Sequence, residues 1–218
     1  LHRVDRRQRQ MCIRDRYFNS TEGRKLLIRA TFQQAKEDGV TVLEIGEDVW
    51  GLKEFFHNDI DELVESFTSA QREIAPEIEL RLQIGLSRHC PISYLEDCLS
   101  YFWGNKNFYS IDLYGDEFAQ PIENFKGIYR RAKKEGLRLK AHVGEWGTAK
   151  DIRTAVEELE LDEVQHGIAA AGDESVIRFL AENKIRLNIT PMSNVLLGRV
   201  ADCLLYTSPS PRDRTRSR

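Results

Sequence analysis

The chain has 218 residues and a formal net charge of −3, unevenly spread: the first sixteen residues hold six arginines against two aspartates and the last sixteen four against one, leaving −10 between them. An acidic body of this length can bury one sizeable core and argues against a nucleic-acid surface. No stretch of it approaches a membrane span, and its two cysteines, Cys90 and Cys98, are too few for a disulfide framework or a Cys-based zinc site, which suits a reducing, cytoplasmic compartment.

Both ends read as foreign. Met11-Cys12-Ile13-Arg14-Asp15-Arg16 and Cys203-Leu204-Leu205-Tyr206-Thr207 can be encoded by one DNA sequence read in opposite directions and different frames. That repeat resembles the transposon-end oligonucleotide used to prepare sequencing libraries, and the flanking Arg, Ser and Pro runs read as its adaptor. Residues 1–16 and 203–218 are therefore expected to be non-native tails around a body of residues 17–202.

Within the body, helix-like and strand-like segments alternate in chain order. A helix over Thr21 to Asp38, stopped by Gly39, precedes a strand over Thr41 to Asp48. Ile60, Leu63, Val64, Phe67 and Ile74 keep helical spacing after Asn58-Asp59, and His57 reads as a residue at that helix's start. A strand over Leu80 to Arg88 and a helix over Ser93 to Phe102 come next. Phe108 to Gly115 is the third strand, and Ile122, Phe125, Ile128, Tyr129 and Ala132 form a stripe after Pro121 that ends at Gly136. Leu137 to Val143, Glu163 to Gly167 and Ile185 to Pro191 are the remaining strands. Thr148 with Asp151 resembles a capping box before Ile152, Ala155, Val156 and Leu159, and a short helix spans Glu174 to Glu182.

Regular alternation with short links predicts an α/β protein of consecutive βα units around a parallel sheet. One parity of its strands is apolar (Leu82, Ile84, Leu86; Leu139, Ala141) and the other polar or small (Arg81, Gln83, Ser87; Arg138, Lys140, His142). Strands covered on both faces are apolar throughout, whereas barrel strands turn a second face inward. An incomplete (β/α)8 TIM barrel with about six of its eight units is the expected architecture, with an open doubly wound sheet as the alternative.

Barrel chemistry gathers at the C-terminal ends of the strands, where His142, Asp112 and His89 fall on the polar parity. Glu145 can share a pocket with His142 only if the chain turns at Gly144. A metal ligand with a neighbouring proton donor fits this pattern, as does a buried structural histidine beside a helix-start glutamate. His166-Gly167 closes the next strand with the same two readings. His89 reads equally as a loop residue; Trp50, Trp103 and Trp146 read as rim or core packing rather than substrate stacking, although Trp146 abuts the site; and Asp116-Glu117 reads as a carboxylate pair or, by default, a solvated loop after Gly115.

Asp112-Leu113-Tyr114-Gly115-Asp116-Glu117, His142-Val143-Gly144-Glu145, His166-Gly167 and Pro191-Met192-Ser193-Asn194, in this order at successive strand ends, resemble the adenosine deaminase family of the amidohydrolase superfamily. The resemblance implies a barrel holding one zinc ion and the hydrolytic deamination of a small-molecule 6-aminopurine, with neither nucleic acid nor membrane as partner. It makes His142 a zinc ligand, Glu145 the proton donor to the purine ring nitrogen, His166 the group that orients or deprotonates the attacking water, and Gly115 a backbone contact to substrate. Zinc would lower the pKa of water from about 15.7 to about 7. The other zinc deaminase class, with His-x-Glu and Pro-Cys-x-x-Cys elements, does not match.

The family's His-x-His pair on its first strand and Asp-Asp pair on its eighth have no counterpart between residues 17 and 202. The chain is thus expected to be an inactive fragment of a deaminase that does not retain its zinc. A nucleoside-binding barrel without catalysis, and a metal-independent lyase or isomerase using Lys140 or Glu145, are the alternatives. Val143 and Tyr114, where the family favours small residues, leave adenosine, adenine, a nucleotide and an N6-modified purine open as substrates.

Overall fold

The computed structural model describes residues 20–199, so the adaptor-like tails lie outside the described residues. Helix α1 (Thr21–Glu37) starts where the Ser20 hydroxyl accepts the Gly23 amide and buries Ile28, Phe32 and Ala35 along one stripe. It leads into β1 (Val42–Asp48), α2 (Val49–Phe56), α3 (Ile60–Ile74), β2 (Glu79–Ser87), α4 (Ile92–Leu99) and β3 (Phe108–Tyr114). Then come a 3-10 turn (Ile122–Phe125), α5 (Lys126–Glu135), β4 (Arg138–Val143), α6 (Ala149–Leu159) and β5 (Glu163–His166). A second 3-10 turn (Ile168–Gly172), α7 (Glu174–Glu182), β6 (Arg186–Asn188) and α8 (Pro191–Leu196) complete the described chain.

Two compact units are distinguished. One runs through Tyr114 and includes Arg130–Arg138; the other comprises Gly115–Tyr129 and the chain from Leu139 onward. In the first, β1 pairs in parallel with β2 from Val42↔Glu79 to Asp48↔Gly85, and β2 with β3 across a register shift at Leu82/Gln83. In the second, β4 pairs with β5 from Lys140↔Glu163 to Val143↔His166, and β5 with β6 from Glu163↔Arg186 to Gln165↔Asn188. The sheet order β1-β2-β3-β4-β5-β6 never reverses. A doubly wound sheet reverses its order at a switch point, so the parallel, sequential βα units are those of an incomplete (β/α)8 barrel.

The stripes read from the sequence are buried as expected. Ile122, Phe125, Ile128, Tyr129 and Ala132 are all core residues, as are Ile152, Ala155, Val156 and Leu159 on α6. Burying each large side chain of such a stripe contributes about 1.5–3 kcal/mol. The Thr148–Asp151 capping box is present in both directions.

Two local expectations are corrected, and one helix had not been expected. His57 does not begin a helix: it caps the C-terminus of α2 in the left-handed region at φ 52, and α3 starts from Asp59, whose carboxylate accepts the Glu62 amide. Helix α2 follows β1 directly without a capping side-chain hydrogen bond, which is why no start signal announced it. The last strand is three residues long and does not reach Pro191, because that proline supplies the first turn of α8.

Candidate active site

Strand β4 buries Ala141 and Val143, with half-buried His142 between them on the opposite parity. The chain then turns at Gly144, whose φ of 73 favours glycine and whose added Cβ would lie 2.4 Å from Ile152 Cδ1. That turn aims four successive backbone amides at one carboxylate. Glu117 Oε2 accepts from Gly144 at 2.7 Å and Gly147 at 3.3 Å, while Oε1 accepts from Glu145 at 2.9 Å and Trp146 at 2.8 Å. The solvated-loop reading of Asp116-Glu117 therefore holds for exposed Asp116 only; Glu117 is 7% exposed.

Strand β5 ends in two consecutive left-handed residues, His166 at φ 66 and Gly167 at φ 63. A non-glycine residue in this region costs about 1–2 kcal/mol. Backbone bonds to the neighbouring turn hold the pair: the Gly167 amide donates to Val143 O at 3.1 Å and the Ala169 amide to Gly144 O at 3.0 Å. The resulting pose buries His166 with Nδ1 3.1 Å from Thr190 Oγ1, 3.3 Å from Asn194 Oδ1 and 3.6 Å from Glu145 Oε1. Its ring centroid lies 5.2 Å from that of His142. His142, Glu145 and His166 are thus brought together at adjacent strand ends.

Glu145 is held on several sides. Its amide is bound by Glu117, its carbonyl accepts from Arg199 Nε at 2.6 Å, and its Oε2 accepts from the Trp146 indole at 3.1 Å. The Arg199 guanidinium in turn lies 4.6 Å from the Trp146 ring centroid. An acid fixed beside an imidazole whose Nδ1 is occupied leaves Nε2 as the second ring nitrogen for proton transfer. Gly115 sits in an exposed bend at φ 106, two residues before Glu117, so its loop is tied through that carboxylate to the Glu145 turn.

The remaining candidates fall elsewhere. His89 occupies an exposed turn after β2, and Asp112 is buried with its Oδ2 3.3 Å from Gln83 Nε2. Trp103 packs under the Arg131 guanidinium, 4.7 Å from its ring centroid, and Trp50 meets Phe55 edge-on, so both act in packing. Lys140 is buried 3.5 Å from Glu163, an ion pair rather than the apolar pocket that a nucleophilic lysine needs. The Tyr114 hydroxyl donates to Asp48, and burial followed by the Asp48 charge pushes its phenol up.

Sequence reasoning weighed Glu117 only as half of a carboxylate pair or as a loop residue, and missed the parts played by Thr190, Asn194 and Arg199. Asn194 belongs to the Pro191-to-Asn194 motif, which gave it no role; it is fully buried, and its Nδ2 has no hydrogen-bond partner among the described residues. Among the described residues no group of three or more His, Cys, Asp or Glu could hold a metal ion. A single half-buried imidazole beside a histidine already bonded at Nδ1 does not make a zinc site by itself, since zinc takes at least three protein ligands.

The chain is similar to known proteins over most of its length. The family model for adenosine deaminase matches residues 8–204. A Treponema pallidum protein provisionally named adenosine/adenine deaminase is 38% identical over 178 residues, 82% of this chain and 59% of that protein. The structure of an adenine deaminase from Arthrobacter aurescens matches with TM-score 0.71 at 24% identity, over 84% of this chain and 57% of the other. An amidohydrolase from Burkholderia ambifaria with bound Zn matches with TM-score 0.70 at 20% identity, over 91% and 54%. The chain spans a little over half the length of each relative, and both solved structures share its fold. With the family model covering most of its length, the chain belongs to the adenosine deaminase family.

Proposed function

We propose that this chain is the central part of a zinc-dependent purine deaminase that replaces the 6-amino group of an adenosine- or adenine-type substrate with oxygen, consuming water and releasing ammonia. The observation that carries this reading is the convergence of His142, Glu145 and His166 at the ends of β4 and β5. Glu145 delivers a proton to the ring nitrogen next to the amino-bearing carbon. His166, anchored at Nδ1 by Thr190 and Asn194, uses Nε2 to orient or deprotonate the attacking water. The Gly115 backbone contacts the purine. His142 is one zinc ligand of the longer protein, as the family resemblance implies; the Burkholderia relative binds Zn, and the described residues by themselves do not complete such a site.

On this reading residues 17–202 are the deaminase portion, and 1–16 and 203–218 are non-native. Cys90 and Cys98, which are not joined in a disulfide, accord with a cytoplasmic protein, and no helix among the described residues is long and apolar enough to cross a membrane. The test is ammonia release from adenine, adenosine and N6-substituted purines, in the presence of zinc. The 218-residue chain is expected to release no more than its Glu145→Ala variant. The same body, extended by the native sequence on either side, is expected to turn over one of these purines and to lose at least about a hundredfold in rate on Glu145→Ala. An extended protein inert toward all of them overturns the reading.

A further inference from the structure

We propose that Glu117 is the positioning residue of the Glu145 turn: a buried carboxylate whose two oxygens, each taking two backbone amides, set where the Glu145 side chain stands relative to His166. The proposal rests on Glu145 and His166 being the reacting pair, and it assigns a role to a residue outside that pair, one whose carboxylate binds backbone amides.

Gly144, Glu145, Trp146 and Gly147 come after the end of β4 and precede α6, outside both regular elements, and backbone amides there are costly to leave unpaired out of water. A carboxylate offers about four acceptor sites and no donor, which matches four converging N–H groups. Successive amides curled around one anion form a binding concavity. Here the anion is supplied by the chain itself, from the loop after β3.

The side chain fits closely. A Cβ on Gly147 would lie 2.8 Å from Glu117 Oε2, so even alanine there would crowd the carboxylate. The two oxygens divide the turn into an outer pair, Gly144 and Gly147 on Oε2, and an inner pair, Glu145 and Trp146 on Oε1. The inner pair matters chemically: Glu145 presents its carboxylate to His166 and to the Trp146 indole from the residue whose amide Oε1 fixes. Glutamine would keep the shape but replace one oxygen with an NH2 group, so two of the four amides would face a donor.

The experiment uses the full chain and needs no turnover, so a failed deaminase assay and a failed positioning role are told apart. Amide exchange at residues 144–147 and the indole N–H resonance of Trp146 are measured in the wild type, Glu117→Gln, Glu145→Gln and Thr148→Ala. The last variant weakens the adjacent cap without removing an amide partner from Glu117. Glu117→Gln is expected to speed exchange at the four amides by about tenfold or more while β1–β3 amides stay put, and to move the indole resonance toward its position in Glu145→Gln. Should Glu117→Gln fail to fold, Gly147→Ala, which presses on Oε2 from the other side, is expected to give the same indole shift. Glu117→Asp, retaining both oxygens, is expected to restore part of the wild-type signal. Exchange no faster than in Thr148→Ala, or a wild-type indole resonance in a folded Glu117→Gln or Gly147→Ala protein, overturns the proposal.

Discussion

The turns after β4 and β5 look alike in sequence, a histidine near the strand end followed by glycine, yet they are held by different means. After β4, Gly144 alone is left-handed and a side-chain anion, Glu117, gathers the amides of the turn. After β5, both His166 and Gly167 are left-handed, and their segment leans on the first turn through the Val143 and Gly144 carbonyls. The dependence runs one way: the first turn has its own anchor, while the second borrows from the first. A perturbation of the β4 turn should therefore travel to His166, and one at the β5 turn should stay local.

Gly144→Ala is the strongest way to break this asymmetry. The new Cβ would occupy a left-handed backbone and meet Ile152 Cδ1 at 2.4 Å and Cγ1 at 2.5 Å, with Gly167 Cα 3.5 Å away. Left-handed strain and overpacking together predict a loss of about 2–5 kcal/mol in denaturant unfolding. Faster amide exchange should appear at Gly167 and Ala169 as well as at 144–147. A variant that loosens only its own turn would show the β5 turn to be independently held.

Gly167→Ala is the milder counterpart. Its φ of 63 carries the same backbone penalty, but the nearest atoms to the added methyl are Leu187 Cδ2 at 2.9 Å and Val164 Cγ1 at 3.2 Å. The first is the end of a flexible side chain and can move aside. The expected cost is about 1–2 kcal/mol, with amides 144–147 keeping their wild-type exchange. Equal losses for the two alanine variants would erase the distinction between the turns.

Much of the second unit was legible because its signals are local. Thr148 and Asp151 lie three residues apart and cap each other, and the Ile152, Ala155, Val156 and Leu159 stripe repeats at helical spacing, so a window of a dozen residues contains the whole signal. His142, Glu145 and His166 were legible by parity, by the glycine turn and by resemblance. Glu117 was not. Its partners are backbone amides 27 to 30 residues away, and amides carry no sequence mark; a glutamate after Gly115-Asp116 looks like any polar loop. Asn194 and Thr190 were hidden differently: extending the last strand to Pro191 left no helix α8 to carry Asn194 to His166, although Pro191 at a helix start was the available signal.

The smallest effect concerns the helix that each turn introduces. Helix α6 after the β4 turn starts from the mutual Thr148–Asp151 cap, whereas α7 after the β5 turn starts from Asp173. The Asp173 carboxylate accepts from the Ser175 hydroxyl at 2.6 Å and from the Ser175 and Val176 amides at 2.9 and 3.3 Å. Those hydrogen bonds, the Ser175 hydroxyl first, hold its pKa below the usual carboxylate range. A group depressed on folding stabilises the folded form above its unfolded value, about 3.9, and that contribution fades as pH falls through the lower folded value. Acidification below about pH 4 should thus fray the start of α7, seen as shifts of the Ser175 and Val176 amide resonances. Asp173→Asn keeps an oxygen acceptor at the cap but cannot titrate, so it should hold those resonances steady across the same range. If the asparagine variant shows the same acid shift, the fraying originates elsewhere, and the β5 side of the comparison loses its pH-sensitive cap.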